Sequence, residues 1–141
     1  MEICSIILSA GKGSRMLSDI PKPLHTIAGK PMIEWAIDAN KEAGIKKKII
    51  VIPEENENFK KISEQYKTIT QKVPLGTGDA VIKAKNTLKN FTGLVLICFA
   101  DTPFLKAESL KKIIEAFDNN TKLVVSGFRK IEKNNYGKIF F

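Results

Sequence analysis

No stretch of this chain is apolar for long enough to cross a membrane. Its first apolar run, Ile3 to Leu8, is too short, and lacks the preceding basic segment, for a signal peptide. A soluble, cytoplasmic protein without a membrane partner is the expectation. Cysteine is scarce. Cys4 and Cys98 each lie in an apolar, strand-like run, with no CxxC spacing and no cluster of ligands nearby, so two core thiols in a reducing compartment are expected. Histidine occurs once, at position 25, again without a partner cluster. Acidic residues are outnumbered 15 to 23 by lysine and arginine, for a formal charge of +8. An excess of that kind is ordinarily a solvated lysine surface, and it also attracts acidic small molecules over a distance. The lysines are scattered, as in Lys46-Lys47-Lys48, Lys60-Lys61 and Lys111-Lys112, and are not interleaved with aromatics, which argues against a nucleic-acid partner.

A length of 141 residues suits one domain, burying about two thirds of its unfolded surface. Apolar, β-branched runs predict strands at Ile3 to Leu8, Lys48 to Ile52, Thr68 to Gln71, Gly93 to Phe99 and Leu123 to Arg129. Helical spacing predicts helices at Met32 to Ala43, Glu57 to Tyr66, Gly78 to Leu88 and Ala107 to Phe117. Strand and helix alternate, so an α/β, Rossmann-like, doubly wound and mostly parallel sheet is expected. Ligands of such a sheet bind beyond the carboxyl ends of its strands.

Two loops leave those ends. Leu8-Ser9-Ala10-Gly11-Lys12-Gly13-Ser14-Arg15-Met16 follows the first strand directly, bringing bare backbone amides and two cations to the sheet edge, a setting suited to phosphate. It is neither familiar phosphate loop. Met16 stands where the dinucleotide fingerprint needs its third glycine, and Lys12 is followed by Gly13 where the Walker A loop needs Ser or Thr. By spacing alone, a tight turn with solvated basic residues explains it equally well. Further on, Pro21 and Pro23 keep the neighbours of Lys22 extended, so its ammonium either stands over a phosphate or faces solvent from a stiff loop. Asp101 follows Leu94-Val95-Leu96-Ile97-Cys98-Phe99 and is placed either to ligate a Mg²⁺ ion or to form an Asx turn into Thr102-Pro103. Gly76-Thr77-Gly78 allows close approach of a flat base, or is simply a helix start capped by Thr77. Asp79, His25 and Trp35 are assigned to structure: Asp79 to a helix first turn, Trp35 to an apolar stripe with Ile33 and Ile37.

The segments Leu8 to Met16, Pro21-Lys22-Pro23-Leu24 and Gly29-Lys30-Pro31-Met32 together resemble the signature motifs of the sugar-1-phosphate nucleotidyltransferases. Within that superfamily, Gln71-Lys72-Val73-Pro74-Leu75-Gly76-Thr77-Gly78-Asp79-Ala80 and Phe99-Ala100-Asp101-Thr102-Pro103 resemble the uridylyltransferase (pyrophosphorylase) domain of the bifunctional N-acetylglucosamine-1-phosphate uridylyltransferase/glucosamine-1-phosphate acetyltransferases. The motifs run in the family's order from Ile3 to Ile139. The resemblance implies the nucleotide-diphospho-sugar transferase fold, Mg²⁺ as cofactor, and UTP and N-acetylglucosamine 1-phosphate as partners in making a cell-envelope precursor. It implies Arg15 and Lys22 as catalytic cations and Leu8, Ser9, Ala10, Gly11, Lys22, Gln71, Gly76, Thr77 and Phe99 as nucleotide-binding residues. Gln71 and Gly76 would read the uracil edge, Asp101 would hold the metal, and Gly137, in Tyr136-Gly137, would contact the amino-sugar.

Departures accompany the likeness. Pro74 stands where the family has a second glutamine, and Phe99-Ala100 replaces Tyr-Gly before the aspartate. The family's later sugar- and metal-binding segments and its β-helix acetyltransferase do not follow, so residues 1–141 are expected to be the nucleotide-binding part of a truncated domain. Three readings result: a competent uridylyltransferase; a nucleotide-binding module with little or no turnover that pairs with itself or with a complementing chain; and a related transferase for another base or sugar, such as a cytidylyl- or thymidylyltransferase.

Overall fold

The computed structural model describes residues 1–11, 13, 16–53, 57–129 and 139. Four parallel strands, β1 (Ile3–Leu8), β4 (Lys47–Ile52), β5 (Lys67–Thr70) and β6 (Leu94–Phe99), make one sheet in the order β5-β4-β1-β6. A short antiparallel hairpin, β2 (Thr26–Ile27) and β3 (Lys30–Pro31), precedes helix α1 (Met32–Glu42). Helix α2 (Lys60–Gln65) leads into β5, α3 (Thr77–Ala84) lies between β5 and β6, and α4 (Ala107–Glu115) follows β6. No helix among the described residues is long and apolar enough to cross a membrane.

The central position of β1 follows from its composition. Cys4, Ser5, Ile6, Ile7 and Leu8 are all buried, as a strand covered on both faces requires. Ile7, with Ile50 and Ile52 of β4, packs on Ile33, Ala36 and Ile37 of α1 and on Phe59 and Ile62 around α2. On the opposite face Cys4, Ile6 and Leu8 join Ile49 and Val51 against Ala80 and Ala84 of α3. Each fully buried Ile side chain contributes about 1.5–3 kcal/mol. A third cluster, Ala39, Ile45, Leu96 and Leu110, joins α1 and α4 at the β6 side.

From β1 the chain moves outward to β4 and β5, then returns across α3 to β6 on the other side of β1. The order reverses between β1 and β6, where doubly wound sheets open a crevice. Leu8 pairs in register with Phe99, so both strands end level and the loops after them leave side by side.

One predicted strand does not form among the described residues. The described part of Leu123 to Arg129 makes no ladder, and Leu123 and Val125 are exposed. A β-branched run has strand propensity, but ladder bonds come from a neighbour, and no described strand supplies them. In β6, Leu96 and Cys98 are buried whereas Val95, Ile97 and Phe99 are exposed, so this continuous apolar run is covered on one face only.

Candidate functional site

A cavity of about 400 Å³ opens at the β1–β6 crevice. Leu8, Ser9, Ala10, Gly11 and Gly13, leaving β1, form one wall. Lys22 and Pro23 form a second, and Phe99 and Asp101, leaving β6, a third. Gln71, Pro74, Gly76, Thr77 and Ala80, at the start of α3, close the remaining side. Backbone hydrogen bonds anchor this frame: Ser9 N–H donates to Val51 O at 2.8 Å, Ala100 N–H to Leu8 O at 2.9 Å, and Gln71 N–H to Ile52 O at 2.8 Å. Gly13 locks the first wall to the second. Its φ is +59°, and a Cβ built there would lie 2.7 Å from Lys22 Cβ, so only glycine lets the loop rest against Lys22.

The charges meet at the mouth. Lys22 Nζ donates to Asp101 Oδ2 at 2.6 Å, the two side chains being 38% and 37% exposed. The turn after β6 is closed by the Thr102 hydroxyl, donating to Phe99 O at 2.8 Å. The Asp101 carboxylate is thus engaged by a cation across the cavity rather than by its own turn. The Ser9 Oγ is buried without a hydrogen-bond partner among the described residues, and neither Ala10 N–H nor Gly11 N–H donates to a described residue. Gly76, at φ +111°, is the N-cap of α3 and makes no side-chain cap bond. Thr77 is therefore the first helical residue, and the alternative in which it caps the helix is not the one realised: the glycine's conformation moves the helix start one residue earlier.

At the far side Gln71 is 3% exposed. Its Nε2 donates to Asp79 Oδ2 at 2.7 Å and to Gly76 O at 3.2 Å, and Lys83 Nζ lies 3.7 Å from the other Asp79 oxygen. The cavity therefore carries amides and an ammonium at one end and a fixed carboxamide at the other, an arrangement suited to an anionic molecule with a flat polar group.

Comparison with known proteins accords with this geometry. The model of the MobA-like NTP transferase domain matches residues 5–134. The chain belongs to that family. The bifunctional protein GlmU of Ruegeria is 38% identical over 143 residues, an alignment covering 99% of this chain and 32% of that protein. GlmU of Caldanaerobacter subterraneus is also 38% identical, over 98% of this chain and 30% of its own length. The present chain thus spans less than a third of either relative. Among solved structures, a nucleotidyl transferase from Methanothermobacter superposes with a TM-score of 0.68 at 23% identity, over 83% of this chain and 58% of that one; it shows the fold. A UDP-glucose pyrophosphorylase from Acinetobacter has a TM-score of 0.51 at 26% identity, over 62% of this chain and 42% of its own.

In this NTP transferase domain, all the expected nucleotide-binding residues, with Lys22 and Asp101, line one cavity. Arg15 and Gly137 lie outside the described residues. Asp79 was expected to serve the first turn of α3. It does, but it also holds Gln71, a link between residues eight apart that no spacing rule signals. Trp35 is half-buried rather than part of the core stripe: its Nε1 donates to Ile27 O at 3.0 Å and Lys30 Nζ lies 4.0 Å over the ring, so it clamps the β2–β3 hairpin. His25 Nε2 contacts Ile20 O at 3.1 Å, in keeping with a structural role.

Proposed function

We propose that residues 1–141 are the nucleotide-binding part of a sugar-1-phosphate uridylyltransferase, which transfers UMP from UTP to N-acetylglucosamine 1-phosphate and releases pyrophosphate. One observation carries the reading: Lys22 and Asp101, far apart in sequence, meet at 2.6 Å beside the amides of Ala10 and Gly11, which donate to no described residue, at the switch point of a nucleotidyltransferase sheet. UTP being an intracellular metabolite, the reaction belongs to the cytoplasm.

In the proposed reaction a phosphate oxygen of the sugar phosphate forms a bond to the α-phosphorus of UTP, and the bond from that phosphorus to the bridging oxygen breaks, so pyrophosphate leaves. Negative charge accumulates on the phosphoryl and leaving oxygens, so positioning and cations matter more than proton transfer. The amides of Ala10 and Gly11 orient the phosphates. Lys22, already within the cavity, exchanges the Asp101 carboxylate for a phosphate oxygen. Arg15, in the same loop, supplies the second cation, and Gly137 contacts the sugar. Among the described residues no three carboxylate, imidazole or thiolate side chains cluster as a ready-made metal site. A single hard carboxylate at the mouth of a phosphate-sized cavity fits Mg²⁺, which keeps its waters and takes most of its other ligands from substrate phosphates. Asp101 would hold that ion, which when bound neutralises phosphate charge. Gln71, Gly76, Thr77, Leu8, Ser9 and Phe99 would surround the nucleoside.

The test is calorimetric titration with UTP in the presence and absence of Mg²⁺, with pyrophosphate release assayed in parallel on addition of N-acetylglucosamine 1-phosphate. UTP binding is expected to weaken by about ten- to a hundredfold in Lys22→Ala, the scale of one charged hydrogen bond. In Asp101→Ala the Mg²⁺ dependence of binding should disappear. A folded wild-type chain that does not bind UTP overturns the proposal. Binding without pyrophosphate release restricts the activity of this chain to nucleotide capture.

A further inference from the structure

We infer that Asp79 is a positioning residue that decides which edge of a nucleobase the cavity accepts; the inference rests on the nucleotide-binding reading above. Gln71 leaves the end of β5 with its backbone N–H bonded to Ile52 O at 2.8 Å, and its side chain lines the cavity while remaining 3% exposed. A carboxamide has two faces to offer, an oxygen that accepts and an NH₂ that donates, and in an open pocket it turns to suit either partner.

Here it cannot turn. Both hydrogens of Nε2 are taken, one by Asp79 Oδ2 at 2.7 Å and one by Gly76 O at 3.2 Å. A half-rotation would set Oε1 against a carboxylate and a carbonyl, three acceptors with no proton among them. The orientation is therefore dictated by the partners, whichever atom is labelled nitrogen. Asp79 is itself held in the first turn of α3, with Lys83 one turn on at 3.7 Å.

The consequence is chemical. No described residue donates to Oε1, which leaves it as the atom of Gln71 for a ligand, so the group it meets must carry a hydrogen. Gly76 lines the same cavity, and its N–H donates to no described residue, offering a donor beside that acceptor. An acceptor and a donor together complement an imide edge, N–H next to C=O, as in uracil and thymine. Cytosine presents a lone pair at its ring nitrogen, which would face the Gln71 oxygen. Gly76 O also accepts from Ala80 N–H at 3.2 Å, so it cannot orient the amide alone as firmly as the Asp79 charge does. Remove that charge and Gln71 regains its second orientation.

The experiment compares dissociation constants for UTP, CTP and inorganic tripolyphosphate, each with Mg²⁺, in the wild type, Asp79→Asn and Asp79→Ala, with helical content and melting temperature checked by circular dichroism. The wild type is expected to prefer UTP to CTP by about tenfold or more, the scale of a mismatched hydrogen-bond pair in a desolvated site. In Asp79→Asn the ratio should fall to within about threefold, because a carboxamide at 79 accepts either orientation of Gln71. Asp79→Ala should lower it as well, with tripolyphosphate affinity unchanged in both. A UTP-to-CTP ratio that stays at the wild-type value in both folded variants overturns the inference, as does a wild type that binds CTP as tightly as UTP. If the wild type binds none of the three, the nucleotide-binding proposal fails too. If tripolyphosphate binds and the bases are not told apart, only the role of Asp79 fails.

Discussion

Asp38 shows a single side chain tying two elements together. A hydrogen bond from Lys30, and more weakly the charge of Lys41 at 3.5 Å, hold its carboxyl below the ordinary value of 3.8. Lys30 begins the β3 strand and Asp38 lies on α1, so the pair joins hairpin to helix beside the Trp35 clamp. Because the folded pKa is depressed, the unfolded chain takes up the proton first as pH falls. The stabilisation is complete above the ordinary value and is lost as pH drops through the lower, folded one. Both partners are partly exposed, which limits it to less than about 1 kcal/mol. Asp38→Asn should therefore lose less of its urea midpoint than the wild type between about pH 6 and about pH 2.5, where acid removes that contribution only from the wild type. Equal losses in the two proteins would show the pair to be energetically silent. Cys4 and Cys98 are simpler. Their isolation in apolar runs was readable directly, both are buried, and burial pushes both thiols up in pKa.

Among the elements, the loop after β1 depends on one residue. Gly13 adopts a left-handed φ of +59° against Lys22, so Gly13→Ala combines a conformational penalty of about 1–2 kcal/mol with a clash that displaces the ammonium. Its melting temperature should fall and its UTP affinity should weaken by about tenfold, the scale of one misplaced charged contact. Gly11→Ala, which meets nothing within 4 Å, is the stability control; comparable destabilisation in the two variants would refute the packing argument. The other elements were largely legible beforehand. Strands β1, β4, β5 and β6 and the four helices fall where apolar periodicity places them, because each buries a stripe its own spacing announces. The β2–β3 hairpin escaped because two-residue strands carry no period. The segment Leu123 to Arg129 misled for the opposite reason, an apolar run without a partner strand among the described residues. In the site, glycines and prolines marked the loops, but the closure of Lys22 on Asp101 and of Asp79 on Gln71 crosses elements and leaves no local trace.

For the molecule as a whole, charge and topology act together. A net charge of +8 raises the local concentration of an anionic ligand, and salt screens that attraction over about 10 Å or less. UTP affinity should therefore fall severalfold between about 50 mM and about 500 mM NaCl, while uridine, which carries no charge, should change little. Matching salt slopes for the two ligands in calorimetry would show that the surface charge plays no part. Topology decides where the ligand arrives. The reversal of strand order between β1 and β6 opens the crevice at the one point where amides, Lys22 and Asp101 converge.

The amino-acid sequence by itself determined the alternation of strands and helices, the apolar core and the position of the loops, since these depend on spacing along the chain and on the burial that spacing permits. Which loop side chains meet, and therefore that Asp101 faces a cation, that Thr77 does not cap its helix and that Asp79 orients Gln71, was decided only in the folded molecule. Such contacts form between groups brought together by the sheet, and their geometry is written in no single segment.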